Sequence, residues 1–113
     1  MIDREELELA AKAAHLLPYV AAPWKFEPER GLLIHVEVNG AGDCDGYWWN
    51  PLLDDGDRYR LAKTVGISID FSDCCAWKRL SNGELIQEFW GGEHGDEPRA
   101  VVRAAAEVGK SMP

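Results

Sequence analysis

No stretch of the chain approaches the ~18 to 20 consecutive apolar residues that span a bilayer, so a membrane helix is not expected. Positive charge is scarce: 12 Lys and Arg stand against 20 Asp and Glu, a formal net charge of −8. That shortage argues against general affinity for DNA, RNA or anionic membranes, whose phosphates attract basic proteins. Cysteine is limited to Cys44, Cys74 and Cys75. An odd set with two adjacent members is not a disulfide framework, so reduced thiols in a cytoplasm are expected. The opening Met1-Ile2-Asp3-Arg4-Glu5-Glu6 lacks the apolar centre of a signal peptide, so a secretory leader is not expected. Gly40-Ala41-Gly42 lacks the rest of either phosphate-loop pattern. Neither a Gly-x-Ser-x-Gly elbow nor a catalytic cysteine signature is present.

What is present reads as one folded domain over residues 1–113, with 46% apolar and 28% charged residues. The negative charge is concentrated. Residues 1–57 hold 12 acids and the four bases Arg4, Lys12, Lys25 and Arg30, whereas residues 58–113 hold eight of each. This asymmetry fits either a solvated surface that aids solubility or an acidic face that meets a basic partner.

Periodicity gives the elements. Asp3 and Glu6 resemble a capping box ahead of the helical stripe Leu7, Ala10, Ala11, Ala14 and Leu17, with Pro18 as the stop. Leu32, Ile34, Val36 and Val38 alternate as a strand, and residues 39–46 read as a loop. A second helix is expected from Asp54 or Asp55, with Leu61, Ala62 and Val65 inward and Gly66 at its end. Ile67, Ile69 and Phe71 alternate as another strand. Asn82-Gly83 predicts a tight type I′ hairpin that pairs Leu80 with Leu85 and Ala76 with Phe89, leaving Trp77, Ile86 and Trp90 on the other face. Pro98 opens a last helix with the stripe Val101, Ala104, Ala105, Val108 and Met112, which leaves Arg99, Arg103 and Lys110 for solvent. The order is α-β-α-β-β-β-α. The expected fold is α+β, with helices covering a small four-stranded, mainly antiparallel sheet.

The acids do not form a metal-loop pattern. Those at Asp54, Asp55 and Asp57 are clustered and followed at once by Arg58 and Arg60, whereas calcium loops spread their ligands over about twelve residues. Helix capping accounts for Asp54, Asp55 and Asp57, with Asn50 bracing the turn before them. Cys74 and Cys75 would point to opposite faces of a strand and chelate one ion poorly. No metal and no cofactor is expected. Trp48 and Trp49 would also point oppositely, so one of them is a candidate exposed anchor beside the acids, with packing against the Pro51 turn as the alternative.

Two segments have a more specific look. Residues 49–62, Trp49-Asn50-Pro51-Leu52-Leu53-Asp54-Asp55-Gly56-Asp57-Arg58-Tyr59-Arg60-Leu61-Ala62, resemble a WNPL-x-DDGDA-x-RLA signature. Residues 98–109, Pro98-Arg99-Ala100-Val101-Val102-Arg103-Ala104-Ala105-Ala106-Glu107-Val108-Gly109, resemble the RRAIVRAAAEIG ending that accompanies it. Both are similar to small phage and prophage proteins of the phage ABA sandwich domain family, and the opening Arg4–Ala14 fits the same pattern. Tyr59 departs from the small residue expected there. The resemblance implies a helix-sheet-helix sandwich, a phage or prophage origin, action in the cytoplasm of a bacterial host cell, and no catalytic residues.

The expected function is a non-enzymatic accessory protein that binds a host protein with a basic surface, touching neither nucleic acid nor membrane directly. By analogy with small acidic phage proteins, the target is a nucleic-acid-binding or defence system such as a CRISPR complex. The candidate contact residues are Glu5, Glu8, Glu27, Glu29, Glu37, Asp43, Asp45, Trp48 and Trp49. The alternatives are a small cytosolic hydrolase using clustered carboxylates and a phage structural or assembly protein.

Overall fold

The computed structural model describes residues 3–16, 26–37, 44–91 and 95–113, with only the backbone described at residues 35–37 and 44–45. The elements run α1 (Asp3–Ala13), β1 (Phe26–Glu27), β2 (Gly31–Glu37), β3 (Cys44–Trp49), α2 (Asp55–Val65), β4 (Ser68–Asp70), β5 (Cys75–Arg79), β6 (Leu85–Phe89) and α3 (Glu97–Ser111). No described helix is long and apolar enough to cross a membrane.

The fold is α+β, but the single four-stranded sheet gives way to two three-stranded antiparallel sheets, β1-β2-β3 and β4-β5-β6. The difference arises at β3. Cys44, Asp45 and Gly46, expected from composition to be loop, are strand residues. From Cys44 onward the chain pairs with β2, with Leu32 opposite Trp49 and Ile34 opposite Tyr47. The aromatic residues Tyr47, Trp48 and Trp49 suit a pleated, half-buried surface, and that preference outweighs the turn character of Asp45-Gly46. Phe26, Leu32 and Trp49 share one face through the cross-strand pairs.

The helices meet each other as well as the sheets: α1 packs on α3, β2 packs on α1, and β5, β6 and α2 pack on α3. Eight of the fifteen α3 residues are buried, from Ala100 to Gly109. That is more than one amphipathic stripe provides, as a helix pressed from several sides requires. Contacts between Asp3 and Arg99, Glu6 and Arg103, and Lys12 and Met112 show that α1 and α3 run in the same direction. Arg99 and Arg103 are therefore not spent on solvent, and Glu6 does not close a capping box. Glu6 is 2% exposed, and its carboxylate accepts from Arg99 at 2.8 Å and Arg103 at 3.2 Å.

Helix ends are set locally. α1 stops before Pro18: His15 takes φ 61°, and the Leu16 N–H returns to the Ala11 carbonyl at 2.7 Å, a left-handed cap of the Schellman kind. In α2, Gly66 at φ 85° closes the helix, its N–H and that of Ile67 both reaching the Ala62 carbonyl.

The hairpin forms one residue out of the expected register. Lys78 opposes Ile86 and Ala76 opposes Glu88, so neither Leu80–Leu85 nor Ala76–Phe89 is a pair. A type I′ turn needs positive φ at Asn82, but only Gly83 adopts it, at 89°. The Gly83 N–H bonds the Leu80 carbonyl at 2.9 Å, and Leu80 donates to Glu84 at 2.8 Å, giving a three-residue loop with the glycine in its left-handed position. The one-residue slip turns every β6 side chain over relative to β5. Ala76 and Ile86 become the buried residues on the face toward α3, and Trp77 joins Phe89 on the opposite face, where both are exposed.

Candidate interaction surface

The acids proposed from sequence do not all reach the surface free. Glu5 is exposed in the first turn of α1. Glu8, one turn on, accepts from Arg4 at 3.0 Å. Glu27 and Glu29 are exposed on either side of the β1–β2 turn, with Arg30 3.4 Å from Glu27. Glu37 and Asp45 lie at the far end of the β2–β3 ladder, where only the backbone is described, and Asp43 lies outside the described residues. Of the candidate acids, Glu5, Glu27 and Glu29 stand exposed, with Arg4 and Arg30 partly neutralising their neighbours.

The two tryptophans separate as adjacent strand residues must. Trp49 is 3% exposed and belongs to the core, which removes it from the candidate contact set. Trp48 lies on the other face of β3, half-buried, with the Arg30 guanidinium 5.5 Å from its ring centre.

The Trp-Asn-Pro turn and the acids after it brace the start of α2. Asn50 is buried; its side-chain oxygen accepts from the Leu52 N–H at 3.1 Å, and its carbonyl accepts from Leu53 and Asp54. Asp54 is the N-cap, accepting from the Asp57 N–H at 2.8 Å. Asp55 is exposed and paired with Arg58. Asp57 does more than favour the helix dipole. It is buried, accepts the Asn50 N–H at 2.9 Å, and pairs with Arg60 at 2.8 Å, tying the turn back to the helix.

Among the hollows that carry polar groups, two involve carboxylates beside arginines and a titratable group shifted by burial. A cleft of about 410 Å³ lies among Ala14, Tyr47, Trp49, Asp57, Arg60 and Thr64. Burial and the nearby Asp57 carboxylate hold the Tyr47 hydroxyl above its ordinary value, so it stays neutral. A second groove, about 300 Å³, brings Glu6, Glu88, Arg103 and Glu107 together from three elements. Burial, and then repulsion from Glu107, raises the Glu88 carboxyl above the usual range. Sequence reading missed this groove, because Glu88 lies on a strand and Glu107 on a helix with no motif linking them. Among the described residues no group of three or more His, Cys, Asp or Glu is placed to hold a metal ion.

A third surface is the face of β4-β5-β6 turned away from α3. Trp77 is 36% exposed, Leu85 44% and Phe89 62%. Cys75 on this face is covered, with the Gln87 side-chain amide 3.6 Å from its sulfur. No family model, no curated protein and no solved structure matches this chain.

Proposed function

We propose that the chain is a non-enzymatic binding protein of phage or prophage kind that docks on a basic face of a host protein. The supporting observation is how the carboxylates divide. The buried ones among the described residues, Glu6 and Asp57, are consumed by arginines and by a backbone amide. Glu5, Glu27 and Glu29 stand exposed, and Trp48 offers an aromatic surface close to Arg30. Charges of this kind steer association and are screened over a Debye length of about 8 Å at physiological salt. The host target fits a nucleic-acid-binding or defence complex, whose basic groove an acidic protein can occupy. The test is recovery of host proteins on the immobilised chain from a bacterial lysate, followed by affinity measurement at low and high salt. Binding that ignores both salt and the triple reversal Glu5→Lys, Glu27→Lys and Glu29→Lys sinks the acidic-surface reading.

The hydrolase alternative has one observation in its favour, the raised Glu88 carboxyl beside Glu107 in the second groove. A panel of ester, phosphate and glycoside substrates, run with the parent and Glu88→Gln, decides it. Turnover absent from the parent, or equal in both proteins, removes this reading.

A further inference from the structure

The two outer strands of the second sheet differ. β4 has three residues, and the chain turns away directly after it, the Asp70 side chain accepting from the Ser72 and Asp73 N–H groups. β6 has five, Leu85-Ile86-Gln87-Glu88-Phe89, paired without a bulge to β5. It contains neither proline nor lysine, two of the devices that guard an edge, and its one charged residue, Glu88, lies on the face toward α3.

Hydrogen-bond phase fixes which groups the edge presents. Leu80 donates to Glu84 at 2.8 Å and Trp90 to Cys74 at 3.0 Å. Bonded and non-bonded pairs alternate in an antiparallel ladder, so Ile86 and Glu88 also turn their amides toward β5. The N–H and C=O groups of Leu85, Gln87 and Phe89 therefore face outward, where no described strand pairs with them. The side chains of the same three residues lie on the face away from α3, with Leu85 and Phe89 well exposed.

We propose that this edge is the interface of a two-fold symmetric dimer, in which β6 pairs antiparallel with β6 of a second copy about Gln87. The pattern reads the same in both directions: apolar, amide, apolar. A two-fold axis requires such self-complementarity. In this register Gln87 opposes Gln87, and Leu85 opposes Phe89 of the second copy. All three positions are hydrogen-bonding ones, so the exposed amides are satisfied together. On the other face Glu88 opposes Ile86, so no like charges meet directly. The result is a six-stranded sheet whose open face carries Trp77, Leu85 and Phe89 from both copies. Each chain carries a net charge of −8, so the copies repel at long range and added salt tightens the dimer. That is the reverse of the salt response expected for docking on a basic host protein, so the two ideas fail separately.

The experiment is sedimentation of the full chain from micromolar to millimolar concentration, with amide hydrogen exchange on the same samples. The expected result is a rise from 12.6 kDa toward twice that mass. Exchange at Leu85, Gln87 and Phe89 slows as concentration rises, while Ile86 and Glu88 are protected throughout. Gln87→Pro removes an outward N–H without breaking the bonds to β5, and Gln87→Lys places two like charges on the axis. Each should weaken the dimer at least about tenfold. If Gln87→Pro fails to fold, Gln87→Lys, whose side chain meets solvent in the single chain, carries the test. A parent that stays monomeric at millimolar concentration overturns the proposal, as does a dimer that survives Gln87→Lys unchanged.

Discussion

Gly109 on α3 lies against the backbone of Leu9 on α1, so near that an added Cβ would stand 2.1 Å from the Leu9 carbonyl oxygen. Alanine favours a helix by about 1 kcal/mol over glycine. Forcing two backbones apart costs up to about 3 kcal/mol. The clash wins, and Gly109→Ala should lose about 2 kcal/mol in urea unfolding. A neutral or stabilised variant would mean that α1 and α3 are free to slide apart.

Arg99 is the principal cation over Glu6. Its hydrogen bond to Asp3, supported by one to Glu6, holds the guanidinium pKa above its ordinary value, against the opposing effect of burial. Arg99→Ala leaves the buried Glu6 carboxylate to Arg103 alone. The expected loss is about 2 to 3 kcal/mol, just short of the range for fully breaking a buried pair. Arg103→Ala, at an arginine more than half exposed, should cost less than about 1 kcal/mol. Adding Glu6→Gln to Arg99→Ala should recover part of the loss, a coupling that a double-mutant cycle measures.

The acids before α2 should rank by the groups they hold. Asp54→Ala removes the N-cap and should cost about 1 kcal/mol. Asp57→Ala strands the buried Asn50 N–H and should cost about 2 kcal/mol or more. Asp55→Ala loses only an exposed partner of Arg58 and should fall within about 0.5 kcal/mol of the parent. Equal melting temperatures for all three would remove the capping account.

Glu88 gives stability an unusual pH response. Burial and Glu107, with a smaller push from Glu6, raise its carboxyl, while Arg103 and Lys110 oppose them. A carboxyl whose value is higher in the fold than in the unfolded chain weighs against folding when ionised. That penalty is full above the folded value and vanishes as pH falls below the ordinary carboxylate range. Glu88→Gln should therefore stabilise slightly at neutral pH, by about 0.5 kcal/mol or less, and the gain should shrink in acid. Unfolding curves at several pH values check the sign.

Cys74 and Cys75 are adjacent free thiols in unlike settings: Cys74 is partly exposed and Cys75 is 2% exposed. Native alkylation should label Cys74 first and reach Cys75 only as the sheet opens. Equal labelling rates would place Cys75 at the surface.

Leu7, Ala10, Leu32, Ile34, Leu61, Ala62 and Val101 are core residues in the structure as their spacing implies. The misreadings share one cause, which is that the competing signal was tertiary. Cys44-Asp45-Gly46 has turn composition, and only β2 beside it makes a strand. Asn82-Gly83 permits two hairpin geometries, and residues on both sides of the turn decide which packs against α3. Arg99 and Arg103 look like solvent residues until Glu6, more than ninety positions away, is placed against them. A sign of crowding was present in Ala100, Val102, Ala106 and Gly109, small residues outside the assigned stripe of α3. Which of the acids stand free was not legible in composition, since Arg4 and Arg30 sit beside the acids they neutralise.

The side-by-side course of α1 and α3 has a consequence in time. α1 leaves the ribosome before the other described elements and α3 after them. The α1 face that includes Glu6 and the Leu9 backbone has no counterpart until then. Both sheets are synthesised while that face is still bare, and β5 and β6 must wait for the same helix. Folding therefore depends on contacts made across nearly the whole chain, the kind of topology that folds slowly for its size. A nascent chain paused before Glu97 should remain open to proteases, and emergence of α3 should close the domain in one step.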